Sequence, residues 1–299
     1  MTTHVGIAGT GKMGTAMACN LLDRGHSVSV WNVDPGMTEA AVNAGAAPFE
    51  TLESLVESVD VTIVMLWDDD VAREISLARI IPAARDGQLI IESTTLSPQM
   101  YEELAAAAAR RGVSFLACPV IGSVDGARGG SLSLFPGGTT DAFERGRELL
   151  NAMGSSVTFT GSPAASGHLK LASNCMLAVL AESIGELLGT MGRARVDRTL
   201  AVETLVYMLQ RVASKQQQLV ERDTRARFSA NALVKDLRLA HAARQALQIH
   251  APVTDLASIE FERAVATGLG GEDYIAVGLA LESELNRDVG SHDELRSAG

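Results

Sequence analysis

The chain is poor in the features that mark secreted or metal-binding proteins. Its 299 residues contain three cysteines, Cys19, Cys118 and Cys175, which are far apart and form no C-x-x-C pair. This pattern argues against a disulfide framework or a zinc site and favours buried thiols in a reducing compartment. The N-terminal apolar run has no basic flank of the kind that precedes an export signal. We therefore expect a cytoplasmic protein.

Basic residues are also scarce. Lysine and arginine number 25 against 36 acidic residues, which gives a net charge of −11. Nucleic acids and anionic membranes both bind a basic face, so neither is predicted as a partner. A small anionic substrate stays possible because it needs only a few local donors. The longest apolar segment, residues 171–181, lies between Lys170 and Glu182 and is shorter than the ~20 residues of a membrane span.

Short apolar runs alternate with helix-like segments in the first half of the chain. Predicted strands cover residues 4–8, 27–31, 61–66, 88–92, 114–117, 132–135 and 156–159. Predicted helices cover residues 13–22, 38–44, 52–56, 70–77, 98–110 and 142–153. This alternation predicts an α/β domain of Rossmann type, with a mainly parallel sheet.

The pattern changes after Gly161. Ser162 and Pro163 are typical of a helix start, and a long helix is predicted over residues 163–191. Further helices are predicted over residues 197–212, 232–248, 251–267 and 276–284. The sequence therefore predicts a dinucleotide-binding domain at 1–162 and an all-helical domain at 163–299.

A glycine motif lies directly after the first predicted strand. Gly9, Gly11 and Gly14 have the G-x-G-x-x-G spacing and precede a predicted helix. In the dinucleotide fingerprint the first glycine permits a tight turn, the second admits the pyrophosphate and the third allows close helix packing. This context predicts that NAD or NADP binds here.

The end of the second predicted strand bears on the choice between these cofactors. Asn32 and Val33 occupy the position that usually contacts the ribose, and Asp34 follows. No lysine or arginine occurs between Arg24 and Arg73, so a 2′-phosphate would find no local cation. The sequence favours NAD, although an arginine from elsewhere in the fold would permit NADP.

Lys170 and Asn174 are four residues apart in the long predicted helix. This spacing places both side chains on one helix face. An amine that transfers protons beside a neutral amide suits hydride transfer at a carbinol carbon, where the hydroxyl proton must also move.

The chain resembles the β-hydroxyacid dehydrogenase family, which includes 3-hydroxyisobutyrate dehydrogenases and the tartronate semialdehyde and glyoxylate/succinic semialdehyde reductases. Four motifs carry the resemblance from about Val5 to Val277. They are Gly6 to Gly14, which contains Thr10, Lys12 and Met13; Cys118 to Ser123 with Gly126 and Gly130; Gly167 to Lys170 with Asn174; and Phe228 with Lys235 to Ala240.

The resemblance implies a Rossmann domain, a long interdomain helix and a helical domain that supports homodimers or homotetramers. It also implies roles for individual residues. Lys170 would be the general acid and base, and Asn174 would hold a small hydroxyacid or semialdehyde. The cofactor would contact Leu66, Trp67, Thr95, Phe228 and Lys235. For Lys235, a solvated helix face beside Asp236 is the alternative interpretation.

The sequence departs from the family pattern at Ile121, where the family usually has a serine that binds the substrate carboxylate. Gly122 and Ser123 keep their backbone donors, and the Ser123 hydroxyl is a candidate substitute. Alternatively, Ile121 makes the site more apolar and favours a bulkier or less polar substrate. His168 is interpreted as a packing or surface residue, because two helical residues separate side chains by about 200°.

Other functions stay open on the sequence alone. Imine reductases resemble this family but usually lack the catalytic lysine, so Lys170 counts against that reaction. A non-catalytic, cofactor-binding regulator is the second alternative, and the retained Lys170 and Asn174 argue against it. The consecutive Asp68, Asp69 and Asp70 are expected to cap a helix, and no metal spacing is present.

Overall fold

A computed structural model describes residues 3–296, with side chains as far as Asn286. The chain divides into two compact units, Met1–Cys175 and Met176–Gly299. The strands are β1 His4–Ala8, β2 Ser27–Trp31, β3 Ala47–Pro48, β4 Val61–Val64, β5 Leu89–Glu92, β6 Ser114–Ala117, β7 Val120–Ile121, β8 Leu132–Leu134, β9 Gly137–Gly138 and β10 Gly154–Val157.

Helices alternate with these strands and then fill the second unit. Those of the first unit are α1 Lys12–Asp23, α2 Glu39–Asn43, α3 Leu52–Ser58, α4 Asp69–Ala72, α5 Ile81–Ala83, α6 Pro98–Arg110, α7 Val124–Gly129 and α8 Thr140–Met153. Helix α9 Pro163–Arg193 crosses the boundary between the units. It is followed by α10 Arg198–Ala213, α11 Gln216–Glu221, α12 Ala230–Ala246, α13 Pro252–Ala266 and α14 Ile275–Arg296.

The main sheet has seven strands in the order β3-β2-β1-β4-β5-β6-β9. The first six are parallel, and β9 pairs with β6 in the antiparallel direction. This is the doubly wound order, in which β1 and β4 are neighbours and the direction of winding reverses between them. The order confirms the predicted Rossmann-type domain and places the ligand site at the carboxyl ends of β1 and β4.

Alternate residues of the central strands pack into two hydrophobic layers. On β5, Leu89 and Ile91 join the cluster around α1 and α8, whereas Ile90 joins the cluster around α3 and α6. Successive strand side chains point to opposite faces, and both faces here are covered by helices. The strands are therefore apolar throughout, as expected for a buried parallel sheet.

Several predicted boundaries differ from the structure. The helix predicted over residues 70–77 is divided into α4, a π-helical stretch Arg73–Ile80 and α5. The predicted last strand of the first unit starts two residues earlier, at Gly154, where it pairs with Leu132. The sequence also missed the short helices α5, α7 and α11. It missed the strands β3, β7 and β9 because each has only two residues and so carries no readable periodicity.

Helix α9 corrects the expectation that no apolar segment of the chain is long enough to span a membrane. It contains an 18-residue window of mean hydropathy 1.4, which is long and apolar enough to cross a membrane by length and composition alone. None of that window is buried within the chain. Cys19 and Cys118 are buried as expected, but Cys175 lies on this helix and is exposed. Large exposed apolar patches mark interaction sites in soluble proteins.

Candidate active site

The three motif glycines have different surroundings. Gly9 has a φ of 98°, and a Cβ there would lie 2.1 Å from the carbonyl oxygen of Met65. A Cβ at Gly14 would lie 1.9 Å from the carbonyl oxygen of Gly9, whereas one at Gly11 would meet nothing within 4 Å. Gly9 and Gly14 are therefore required by the fold, and the space beside Gly11 is open for a ligand.

Buried polar atoms at the strand ends also fit a bound dinucleotide. Thr10 Oγ1, just after β1, and Ser93 Oγ, just after β5, are buried and have no hydrogen-bond partner in the described structure. Lys12 is exposed on the first turn of α1, and Met13 packs against the core. The helix start, the open space at Gly11 and the unpaired donors suit a pyrophosphate.

Asn32, Val33 and Asp34 form the turn after β2. The Asn32 Oδ1 accepts a hydrogen bond from the Val33 N–H (3.0 Å), which leaves its NH₂ group free to donate. Asp34 Oδ1 accepts from the Gly36 N–H (2.9 Å). Val33 is 78% exposed. This turn can hold ribose hydroxyls through the Asn32 amide.

Two further turns lie at the same edge of the sheet. The Leu66 N–H after β4 donates to Thr94 Oγ1 after β5 (2.8 Å), and Trp67 beside it is 84% exposed. Asp69 accepts from both the N–H and the hydroxyl of Ser97 (2.9 and 2.5 Å). The bonds of Thr94 and Asp69 fix the loop that contains Thr95. The sequence does not indicate these two contacts, because the partners in each lie 28 residues apart.

Glu92 is another residue that the sequence did not single out. It ends β5 and is fully buried, with its carboxylate accepting from Ser76 Oγ (2.7 Å) and from the Thr94 N–H (3.1 Å). Burial raises the pKa of Glu92 to about 7, although these hydrogen bonds oppose the change. In the sequence, Glu92 is only an acidic residue at the end of a strand, and this pattern does not indicate burial. The hydrogen bonds of Glu92 link the π-helical stretch, which contains Ser76, to the loop before α6, which contains Thr94.

The predicted substrate motif forms the turn between β7 and α7. Ile121 is half-buried, and Gly122 has a φ of 149°. Ser123 caps α7, where its Oγ accepts from the Gly126 N–H (3.1 Å). The Ser123 hydroxyl proton is not used in that bond, so it can still be donated to a carboxylate.

Lys170 lies in the first turns of α9 and is half-buried. Burial lowers the pKa of its ammonium, and no described side chain forms an ion pair or hydrogen bond with it. Gly167, one turn earlier, is buried where a Cβ would lie 3.1 Å from both Pro98 Cα and Tyr101 Cδ2. The glycine allows α9 to pack closely on α6. Asn174, one turn after Lys170, is exposed.

The neighbouring candidates on α9 and α4 have ordinary surroundings. His168 is exposed. Asp68 caps α4 by accepting from the Val71 N–H (3.0 Å), as expected for this acidic cluster. No group of three or more potential metal ligands occurs among the described residues.

Phe228 and Lys235 belong to the second unit. Phe228 packs edge-on against Tyr274, with ring centroids 6.4 Å apart, and its N–H donates to buried Asp273 (3.2 Å). Lys235 is largely exposed and pairs with Asp236 (3.0 Å). This position is compatible with a cofactor contact by Lys235 and equally with a solvated helix face.

Comparisons with known proteins agree with this arrangement. The family model described as the NAD binding domain of 6-phosphogluconate dehydrogenase matches residues 4–161. The family model described as NAD-binding of NADP-dependent 3-hydroxyisobutyrate dehydrogenase matches residues 164–280. The chain belongs to the β-hydroxyacid dehydrogenase family. Its members are NAD(P)-dependent oxidoreductases, and the expected family, fold class and cofactor class are thereby confirmed.

Individual β-hydroxyacid dehydrogenases align over most of the chain. The NAD-dependent L-serine dehydrogenase of Pseudomonas aeruginosa is 30% identical and aligns over 92% of this chain and 96% of its own length. A 3-hydroxyisobutyrate dehydrogenase structure from Mycobacterium tuberculosis, with L-serine, is 27% identical, covers 94% of this chain and 99% of its own, and has a TM-score of 0.64. An imine reductase from Myxococcus stipitatus has a TM-score of 0.83 at 20% identity, covering 93% of this chain and 99% of its own, which shows a shared fold.

Proposed function

We propose that this chain is an NAD-linked 3-hydroxyacid dehydrogenase that also reduces the corresponding semialdehyde, with Lys170 as the general acid and base. The half-buried and unpaired ammonium of Lys170 carries the proposal. A lysine in water titrates near pH 10.4 and is a poor base at neutral pH. Burial lowers the pKa of Lys170, which brings its neutral form closer to the working range.

The proton moves through Lys170 in both directions. In oxidation the neutral amine accepts the hydroxyl proton of the substrate, and in reduction the ammonium donates a proton to the carbonyl oxygen. A nicotinamide cofactor held at the glycine loop of Gly9, Gly11 and Gly14 would supply the hydride chemistry, as hydride acceptor for oxidation and as hydride donor for reduction. Asn174, on the same helix face, would hold the hydroxyl or carbonyl oxygen through its amide.

We propose that the substrate carboxylate binds at the turn of Gly122 and Ser123. The Ser123 hydroxyl can donate while its oxygen caps α7, so it can replace the hydroxyl that the family usually has at Ile121. The apolar Ile121 favours a substrate with a less polar carbon chain. L-Serine belongs in the substrate panel because it appears in the names of an aligned dehydrogenase and an aligned structure.

The surroundings of β2 support NAD over NADP. Arg79 lies over the ring of Trp31, the last residue of β2, with its guanidinium carbon 5.4 Å from the ring centroid. Its guanidinium is held by both carboxylate oxygens of Glu53 (2.8 and 3.0 Å). A neutralised arginine attracts a 2′-phosphate weakly, and the carboxylate of Asp34 would repel one. We expect a higher kcat/KM with NAD than with NADP.

We further propose a cytoplasmic homodimer or homotetramer. Helix α10 exposes Val206, Tyr207 and Met208, each about half accessible, and the apolar window of α9 is uncovered. Apolar surface of this extent marks an interaction site, and copies of the same chain commonly form closed assemblies. Sedimentation velocity measures the assembly, and a monomer at micromolar concentration would contradict it.

The reaction is tested by following nicotinamide absorbance with NAD and NADP against a panel of 3-hydroxyacids, including L-serine. We expect turnover that falls by about 100-fold or more in Lys170→Ala, as for loss of a general acid or base. The matched control is His168→Ala, which changes an exposed residue on the same helix and should leave turnover unchanged. Equal activity in wild type and Lys170→Ala would refute the assignment. NAD binding without any turnover would favour the regulatory alternative.

A further inference from the structure

Thr94, in the loop after β5, is fully buried and is held by three different elements. Its Oγ1 accepts a hydrogen bond from the Leu66 N–H after β4 (2.8 Å), and its own N–H donates to Glu92 Oε1 at the end of β5 (3.1 Å). Its carbonyl oxygen accepts from the hydroxyl of Tyr101 in α6. Both backbone groups and the side chain of Thr94 are therefore bound. The next residue, Thr95, is the predicted cofactor contact.

The hydroxyl of Tyr101 is bound on both sides of Thr95. The side chain is fully buried, and burial, followed by the charge of Glu92, raises the pKa of Tyr101 well above its usual range, whereas a hydrogen bond with the Leu96 backbone lowers it. The hydroxyl therefore stays protonated and donates to the Thr94 carbonyl. Its two backbone partners, Thr94 and Leu96, are the residues directly before and after Thr95.

The ring of Tyr101 packs on the helix that carries the proposed base. A Cβ added to Gly167 would lie 3.1 Å from Tyr101 Cδ2, so the ring lies directly against the start of α9. Lys170 follows Gly167 by three residues, which is less than one turn of helix. The hydroxyl and the ring belong to one rigid aromatic group. A single side chain therefore sets the distance between the loop of Thr95 and the start of α9.

Core packing explains the ring of Tyr101 but not its hydroxyl. Leu96, Met100 and Leu104 belong to the same buried cluster as Tyr101, and a phenylalanine would fill the same space. A hydroxyl in such a cluster is costly to bury unless it is hydrogen-bonded. The Tyr101 hydroxyl bonds to the loop that precedes α6 and not to its own helix. This choice of partner indicates that the hydroxyl holds the loop.

We infer that Tyr101 is a positioning residue for the proposed dehydrogenase. Its hydroxyl holds the backbone around Thr95, and its ring holds the start of α9, so the cofactor loop and Lys170 keep a fixed separation. Catalysis needs reacting groups within about 3–3.5 Å, and a displacement of about 1 Å reduces the rate by about 100-fold. The role in catalysis rests on the proposed function, whereas the hold on the loop does not.

Tyr101→Phe separates the two contributions, because phenylalanine keeps the ring against Gly167 and removes only the hydroxyl. Hydrogen–deuterium exchange of the full chain, without cofactor or substrate, should be about tenfold faster in residues 93–97 and unchanged in β1. Steady-state kinetics should show a kcat that is lower by about tenfold, with KM for the hydroxyacid changed by less than about twofold. A buried tyrosine with a purely structural role would not produce this separation of kcat from KM.

Gln88→Met is the control for a general loss of stability. Gln88 is buried at the opposite end of β5, where its side-chain amide donates to the carbonyls of Val56 and Val59 (2.8 and 2.9 Å). The variant also removes buried hydrogen bonds and should lower the unfolding temperature. We expect it to leave kcat and the exchange of residues 93–97 at wild-type values. Circular dichroism checks the folding of both variants.

Three results would overturn the inference. These are wild-type exchange of residues 93–97 in Tyr101→Phe, an unchanged kcat in that variant, and an equal loss of kcat in Gln88→Met. If the wild-type chain turns over no hydroxyacid, the proposed function fails while the exchange measurement still applies. Faster exchange of residues 93–97 in Tyr101→Phe would then support the hold of Tyr101 on the loop, and unchanged exchange would refute it.

Discussion

Gly167 lies so close to Pro98 that a Cβ atom on the glycine would be 3.1 Å from the proline Cα. The contact joins the start of α9, which carries Lys170, to the first turn of α6. That turn follows the loop of Thr94 and Thr95, which is fixed by hydrogen bonds to Leu66 and Asp69. The position of the proposed base relative to the strand ends thus depends on one glycine.

Replacing Gly167 with alanine should disturb this packing. The added methyl group meets Pro98 backbone and the Tyr101 ring, so we expect a loss of about 1–3 kcal/mol in the free energy of unfolding and a lower kcat. Denaturant unfolding and steady-state kinetics measure the two effects. Gly185→Ala is the control on the same helix, because a Cβ there meets nothing within 4 Å. It should be neutral or stabilising by up to ~1 kcal/mol, and equal effects of the two variants would contradict this account.

Alanine substitutions at two glycines of the cofactor loop should affect NAD binding and stability separately. Gly11→Ala places a methyl group in open space, so we expect normal stability and weaker NAD binding. Gly14→Ala forces a contact with the Gly9 carbonyl and should destabilise the first unit. Thermal unfolding without cofactor and titration with NAD measure both. Undiminished NAD binding by Gly11→Ala would show that the pyrophosphate does not pass this residue.

Glu92 should make stability depend on pH. Its pKa rises from an ordinary 4.5 to about 7, so the native state binds the proton more tightly than the unfolded state. The contribution of this carboxyl therefore falls as pH rises from about 4.5 to 7. At ~1.4 kcal/mol per pKa unit the change is roughly 3–4 kcal/mol.

Glu92→Gln should remove that dependence. Its amide can still accept from the Thr94 N–H and donate to Ser76 Oγ. Urea unfolding at pH 5 and pH 8 should show the variant gaining stability relative to wild type as pH rises. Glu57→Gln changes an exposed acid and should show no such gain. A constant difference between Glu92→Gln and wild type at both pH values would mean that Glu92 is ionised throughout.

Helices and strands that carry clear local sequence signals could be predicted from the sequence. Helix α6 has the predicted bounds because Ser97 caps it, Pro98 begins it and Gly112 adopts a φ of 69° beyond its end. The parallel order followed from buried strands that alternate with helices. The two-residue strands and the π-helical stretch were missed, because the first depend on pairing with distant strands and the second carries an ordinary helical pattern.

The candidate site was predictable only where a motif is local. The glycine loop and the Lys170/Asn174 face could be recognised from spacing. The burial of Glu92 beside Ser76 could not, and neither could the Lys215–Asp273 pair, whose residues are 58 positions apart. Both need tertiary packing to bring the partners together. The roles of all the candidate site residues, Lys170 and Asn174 included, stay predictions.

The most direct test of the account is the pH dependence of kcat/KM for hydroxyacid oxidation in wild type and in Lys170→Arg. Arginine keeps the charge but cannot lose its proton in this range. We predict that wild-type activity rises with pH as Lys170 becomes neutral, and that Lys170→Arg binds NAD but loses oxidation by about 100-fold or more at every pH. Activity within about tenfold of wild type, with the same pH profile, would contradict the assignment of Lys170 as the base.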